Sequence, residues 1–399
     1  MGKILLAAVL TAVVWYASGK PAIAQGCGAN NPNCVTPDRQ IWANDFGAVC
    51  NGSTDDSIAL QNTINVGQSL GIPVKFKGPC AINSALSMTA SVDFSGATPQ
   101  ALLISTNIAV DMIDVNTPAG NPVYLHDFAM SWNAAASNGT AAITVGSPTS
   151  ENAGSKFERL TINGNVSAGF NSIRASNWNI SNSTIVASHQ GIIVANQNVG
   201  DSGDSTIDGN LIQVGSGGIG IVYNSSGGLR IINNKINGNG TVLFGIQMAL
   251  APGVFTADLF VTGNSIEGIS GTGAGIALQR AGSTGGFEAV MITGNELSGG
   301  FCLLIPFDAN GVWLSNLTAT GNTCLLQGSS TAVGFFMDSI NGATVTSNFV
   351  QGVSTGTNIV FAIGPHGLTA ANCVIGITPY VGLTSAASTL GSCTAIAPH

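Results

Sequence analysis

The chain has 399 residues, only 8% of them charged, with 53 glycines and a formal net charge of −8. That balance excludes a nucleic-acid binder, which needs a basic surface, and it argues against a broad basic groove for a polyanion. Gly, Asn, Ser and Thr supply the polarity that charge would otherwise supply, and sparse cations are left to act only locally.

The amino terminus reads as a removable leader over residues 1–24. Lys3 gives the positive start, Ile4 to Tyr16 the apolar stretch and Ala22-Ile23-Ala24 a small-residue cleavage site. An uncleaved anchor is the alternative, but the apolar run is short for a bilayer and no later run is long enough. The expected product is secreted, extracellular or periplasmic, with no membrane attachment after cleavage. Once Lys3 and Lys20 leave with the leader, 9 basic residues face 19 acidic ones. All eight cysteines follow the cleavage site, which suits disulfides in an oxidising compartment. Sequence neighbours suggest Cys27–Cys34, Cys50–Cys80, Cys302–Cys324 and Cys373–Cys393, although spacing does not fix connectivity.

A short arm, 25–40, precedes a segment that reads as a helix over about 54–66. Ser53 or Thr54 is placed to cap it, with Asp55 and Asp56 in its first turn, where carboxylates favour the dipole. Ile58, Leu60 and Ile64 give a partial apolar stripe, and Gly71-Ile72-Pro73 ends the unit.

Asp45-Phe46-Gly47-Ala48, Gly52-Ser53-Thr54-Asp55-Asp56 and Leu60-Gln61-Asn62-Thr63-Ile64 carry a resemblance. The run is similar to the opening of pectate-lyase-like proteins, a superfamily of rhamnogalacturonases, polygalacturonases, lyases, epimerases and phage tailspikes. The resemblance implies an all-β fold, a right-handed parallel β-helix with this helix plugging its amino-terminal end, and a polysaccharide substrate.

From Ile72 onward the chain breaks into short strands separated by Gly, Asn and Ser. In the second half one motif repeats: Ile207-Asp-Gly-Asn210, Ile231-Ile-Asn-Asn234, Val261-Thr-Gly-Asn264, Ile292-Thr-Gly-Asn295, Thr320-Gly-Asn322 and Val345-Thr-Ser-Asn348. The asparagines are 24, 30, 31, 27 and 26 residues apart. Such a repeat points to a stacked solenoid, here one domain over 41–364 with a capping segment over 365–399. The asparagines read as structural. They tolerate left-handed corners and can pair their amides in a ladder.

A second strand of each repeat begins near glycine: Gly191, Gly220, Gly245, Gly275, then Cys302 and Gly334. Positions +1 and +3 from that start should point inward and +4 outward. This places Ala195, Asn224, Ala249, Gln279, Pro306 and Asp338 in one outward column, with Gln247 nearby. Arg280 and Asp308 follow just beyond.

Arg280, Asp308 and Asp338 are therefore the expected catalytic residues. Paired carboxylates suit glycoside hydrolysis, and an Arg beside them suits a sugar acid or an enolate in a lyase. Gln279, Gln247, Asn224, His189 and Trp178 are the expected substrate contacts, with Trp132 a second stacking candidate. Asp201 and Asp204, in the loop Gly200-Asp-Ser-Gly-Asp-Ser205, offer oxygen ligands for calcium or partners for His189. Ordinary turn chemistry explains that loop equally well.

The active-site signatures of the superfamily are missing. There is no N-T-D or R-I-K, and His189-Gln190-Gly191 matches G-H-G only loosely. The epimerase Y-G-x-D-P-H and a lyase W-x-D-H are also absent. Three expectations remain: a secreted glycoside hydrolase or polysaccharide lyase, a non-catalytic glycan-binding or adhesin β-helix, and a tailspike-like module, against which the leader counts.

Overall fold

A computed structural model describes residues 40–379 apart from 134–139, 150, 165, 196–203, 281, 283, 307–312, 328–331, 339, 353–358 and 364–373, together with 394–395. The leader, Cys27, Cys34, Cys373, Cys393 and most of the expected carboxyl-terminal segment lie outside the described residues. Within 365–399, Val374–Pro379 and Thr394–Ala395 continue the stack as parallel strands.

The chain coils into an all-parallel β-solenoid of about nine turns with one α-helix. Each turn lays one strand on each of three faces. The first face runs through Val92–Gly96, Val123–His126, Lys156–Glu158, Asn179–Ser181, Ser205–Asp208 and Leu229–Ile232. The second runs through Leu102–Ser105, Ala129–Trp132, Thr161–Ile162, Thr184–Ala187 and Leu211–Val214. The third runs through Leu86–Met88, Ile113–Val115, Ala141–Val145, Ala168–Ser172, Gln190–Ala195 and Ile219–Asn224.

Inward side chains stack on their own kind. On the third face Ile192, Ile221, Ile246, Ile276, Leu303 and Phe335 form one fully buried row, and Val194, Tyr223, Met248, Leu278, Ile305 and Met337 another. These are the +1 and +3 positions of the sequence frame. Tyr223 keeps its hydroxyl bonded inside the core, to Gly227 O at 2.5 Å and Thr256 Oγ1 at 2.7 Å.

The repeated asparagines line the corner between the first and second faces. Asn210, Asn234, Asn264, Asn295, Asn322 and Asn348 are each at most 2% exposed. From Asn210 to Asn322, each Nδ2 donates to the Oδ1 of the next asparagine at 2.8–3.0 Å. It also donates to a carbonyl of the preceding turn, Ile231 O for Asn264 and Val261 O for Asn295. The left-handed angle belongs to the residue before the ladder: Gly209, Asn233, Gly263, Gly294, Gly321 and Ser347, with φ from 55° to 68°. The conformational strain is thus placed mostly on glycine, which bears it without a steric penalty. The asparagine itself is left free to bond three turns together.

The helix spans Ser57–Leu70 and ends on Gly71 at φ 63°. It buries Leu60 and Ile64 against the first turn. Its two acidic residues do other work than expected. Asp55 accepts from Ser57 N at 3.0 Å. Asp56, at the cap position, makes no cap bond and accepts instead from Val49 N at 2.7 Å and Cys50 N at 3.0 Å. Ser53 and Thr54 lie upstream, in a turn closed by Asn51 Oδ1. Two expected disulfides are present, Cys50–Cys80 and Cys302–Cys324.

Candidate functional site

The outward column of the third face has the expected register, with Ala195 opposite Asn224 and Ala249 opposite Gln279. Several of its side chains are engaged locally. Asn224 Oδ1 braces a turn through Ala251 N at 2.9 Å. Gln247 Nε2 donates to Gln279 Oε1 at 2.8 Å. Arg280 Nη1 donates to Gly285 O at 2.9 Å. Asp338 is completely buried. Asp308 lies outside the described residues.

Trp178 is 1% exposed and packs its ring 5.0 Å from Phe170, so it is core and not a sugar platform. Trp132 is buried too. His189 is exposed and meets Ser188 Oγ at 3.0 Å. It stands at the start of Gln190–Ala195, whereas Asp204 follows the far end of that strand, so the two do not pair. Asp201 lies outside the described residues. Among the described residues one group, Cys50, Asp56 and Cys80, has metal-ligand spacing. Its thiols are joined to each other and its carboxylate already accepts two backbone N–H groups.

Ionisable groups gather instead on the first face, near the amino-terminal end. Parallel register puts Asp93, Tyr124 and Lys156 in one outward column on consecutive turns. Ser95, His126 and Glu158 form the next column. At the corner beyond stand Asp127 and Arg159, with φ of 64° and 51°. Those corner positions are glycine in several later turns, so an Asp and an Arg hold the left-handed angle here at a conformational cost. Such outliers persist where the surroundings over-determine them.

The contacts are dense. His126 Nε2 lies 3.0 Å from Asp93 Oδ1, and its Nδ1 lies 2.5 Å from Asp127 Oδ2. Arg159 reaches Asp127 Oδ1 at 2.6 Å and Oδ2 at 3.0 Å, and Glu158 Oε2 at 2.9 Å. The Tyr124 hydroxyl donates to Glu158 Oε2 at 2.6 Å, and its ring stacks on His126 at 4.1 Å.

This geometry fixes protonation. The Arg159 guanidinium holds Asp127 down to about 2. Tyr124 and then Arg159 lower Glu158, which is ionised at neutral pH. Burial opposes the charged form of His126, but Asp93 and Asp127 outweigh it and raise its pKa. Burial and then the Glu158 hydrogen bond raise Tyr124, keeping its proton on oxygen.

Two cavities flank the cluster. One of about 460 Å³ is lined by Pro73, Asp93, Pro122, Tyr124, Lys156 and Glu158. The other, about 420 Å³, meets Asp127, Phe128, Arg159 and Thr161. In a chain that is 8% charged, six charged or titratable side chains besides Tyr124 converge between two hollows.

A second acidic pair sits on the third face. Asp111 accepts from Ala141 N at 2.7 Å and Thr144 Oγ1 at 2.6 Å. Burial, with the Asp111 charge beside it, pushes Asp114 up to about 6.

The sequence frame missed the first-face cluster because its marker was asparagine. Leu125-His126-Asp127-Phe128 and Phe157-Glu158-Arg159-Leu160 are the same unit as Ile207-Asp208-Gly209-Asn210, with Phe and Leu in the ladder position. Running the repeat upstream without requiring asparagine would have aligned them.

This architecture has counterparts among solved structures. The A-module of a mannuronan C-5 epimerase from Azotobacter vinelandii aligns with TM-score 0.58 and 18% identity, over 87% of this chain and all of that one. A DFA-IIIase from Arthrobacter chlorophenolicus, without its lid, aligns at 0.58 and 14%, over 85% and 94%. An exopolygalacturonase from Thermotoga maritima aligns at 0.51 and 11%, over 82% and 91%. The chain shares the right-handed parallel β-helix fold with these structures. No protein-family model and no curated protein matches the sequence.

Proposed function

We propose that the protein is an exported polysaccharide lyase, acting on an acidic glycan laid across the Tyr124–Glu158 cavity. The observation that carries this is the Tyr124–Glu158 hydrogen bond, a neutral hydroxyl beside an ionised carboxylate, with Lys156 on the same cavity wall.

β-Elimination needs three things: a cation on the sugar carboxylate, a base for the C5 proton and an acid for the leaving oxygen. Lys156 serves the first need; it makes no ion pair among the described residues. Glu158 takes the C5 proton. The electron pair forms the C4–C5 double bond and the C4–O bond breaks. Tyr124 then protonates the departing oxygen and recovers its proton from Glu158 along their hydrogen bond, which closes the cycle. His126, fixed by two carboxylates, holds the Tyr124 ring by stacking. Arg159 holds Glu158 in place.

The epimerase and polygalacturonase among the structural neighbours are named for uronate polymers, which supports an acidic substrate. Two buried disulfide pairs support export to an oxidising compartment. No helix among the described residues is long and apolar enough to cross a membrane.

The test is incubation with alginate, polygalacturonate, rhamnogalacturonan and bacterial exopolysaccharides. The reading requires ultraviolet absorbance from unsaturated uronate ends, lost in Tyr124→Phe and Glu158→Gln. New reducing ends without that absorbance would instead support hydrolysis by Asp114 and Asp111. That second reading is favoured by Asp114, whose pKa burial raises to about 6 beside Asp111, as suits a general acid in a carboxyl pair. Retention of a polymer with no product at all would support a non-catalytic glycan-binding surface.

A further inference from the structure

The second face carries a pocket that the proposed chemistry does not use. Two long strands, Lys235–Leu250 and Ser265–Arg280, pass through its corner with register breaks between Asn237, Val242 and Phe244. Left-handed residues at Asn239, Gly240 and Gly268 fold these stretches into an overhang. A Cβ on Gly268 would come within 2.6 Å of Asn239 N, so the two stretches close against each other. Beneath lies a cavity of about 340 Å³, lined by Asn237, Glu267, Glu296, Ser298, Leu325 and Gln327.

Ser298 is the informative member. Strand parity puts it on the same outward side as Glu296, with Leu297 inward. It is nevertheless only 3% exposed, and its Oγ has no hydrogen-bond partner among the described residues. A buried hydroxyl left unmatched is unfavourable, so a group that completes it is favoured there. Around it stand two carboxylates and two amides. Leu325 offers an apolar patch.

We propose that this pocket binds one neutral sugar unit, as a glycan-anchoring site separate from the Tyr124 cavity. Vicinal hydroxyls donate to Glu267 and Glu296, a third bonds Ser298 Oγ, and the C–H face of the ring rests on Leu325. The two carboxylates repel a uronate, which excludes an acidic sugar. Lys235, 3.4 Å from Glu267, opposes a divalent cation at the same place. The inference does not depend on the lyase reading.

The experiment is ligand-observed NMR and calorimetry on the full chain with glucose, galactose, mannose, rhamnose and glucuronate, and separately with calcium. At least one neutral sugar should bind and glucuronate should not. Glu296→Gln and Ser298→Ala should each weaken binding about tenfold, since each removes one hydrogen bond to the ligand. Tyr124→Phe should leave it unchanged, so failure of the lyase reading and failure of this one are seen separately. Glu296 is exposed and Ser298→Ala removes one buried atom, so both variants fold, which circular dichroism checks. The proposal is overturned if no neutral sugar binds, if binding survives both substitutions, or if calcium binds in place of the sugar.

Discussion

Arg159 grips Asp127 across one turn of the solenoid with two hydrogen bonds, Nε to Oδ1 at 2.6 Å and Nη2 to Oδ2 at 3.0 Å, and both residues stand at left-handed corners. Glycine at position 159 would relieve the backbone of that residue. Arg159→Gly should therefore leave thermal stability nearly unchanged, because the lost half-exposed ion pair is worth little and the relieved φ offsets it. Activity should fall by two orders of magnitude or so as Glu158 loses the guanidinium that holds its carboxylate in place. The pH–rate profile should shift its acid limb upward. An unmoved limb would remove Arg159 from the mechanism.

His126 makes the cluster pH-sensitive in a definite direction. Its pKa is raised in the folded protein, so its contribution to stability is complete below the unfolded value of about 6.5. It is lost as pH rises through the folded value. Asp127, held at about 2 against 3.8, contributes above 3.8 and loses that contribution as pH falls toward 2. Urea unfolding of the native chain should weaken on the alkaline side of neutrality, and His126→Gln should flatten that slope. Equal slopes in the two proteins would show that the imidazole is not charged in this network.

Much of the fold was legible because the third-face frame, Gly then inward, outward, inward, outward, matches Gly191 to Ala195 through Gly334 to Asp338 in register. Burial was less legible. Asp338 sits where the frame put it, yet it is completely buried, and strand parity alone does not report burial. Trp178 failed for a related reason: large aromatic rings fill a solenoid core as readily as they platform a sugar. The first-face cluster escaped because its members are set by register between turns, and His126 and Glu158 become neighbours only when Phe128 and Leu160 are recognised as ladder positions without asparagine.

Asp114 holds its proton to about 6 in the folded chain against 3.8 for an ordinary aspartate, chiefly through burial. The folded state thus binds the proton more tightly, and this contribution is present below pH 3.8 and lost as pH rises through 6. The whole effect is at most about 3 kcal/mol. Asp114→Asn should raise the unfolding midpoint at pH 7.5 and leave it nearly unchanged at pH 4, where the native carboxyl is already neutral. Loss of hydrolytic activity in the same variant, with unsaturated ends absent throughout, would transfer catalysis to the third face.

Asn264 sits in the middle of the ladder and serves three turns at once. Its Oδ1 accepts from Asn234 N and Asn234 Nδ2, and its Nδ2 donates to Ile231 O and Asn295 Oδ1. Asn264→Ala would strand buried donors on one side and buried acceptors on the other, at a cost of about 3 kcal/mol or more. Asn264→Asp keeps the acceptors and loses the donors, and it also buries a charge between amide dipoles, so it should cost as much at neutral pH and less in acid. Asn348 lies at the carboxyl-terminal end of the asparagine run and accepts from Asn322 alone. Asn348→Ala should be milder, since only one ladder neighbour loses its partner. Comparing urea midpoints of the three variants checks this. If the middle and end substitutions cost the same, the ladder is a sum of local turns and not a cooperative spine.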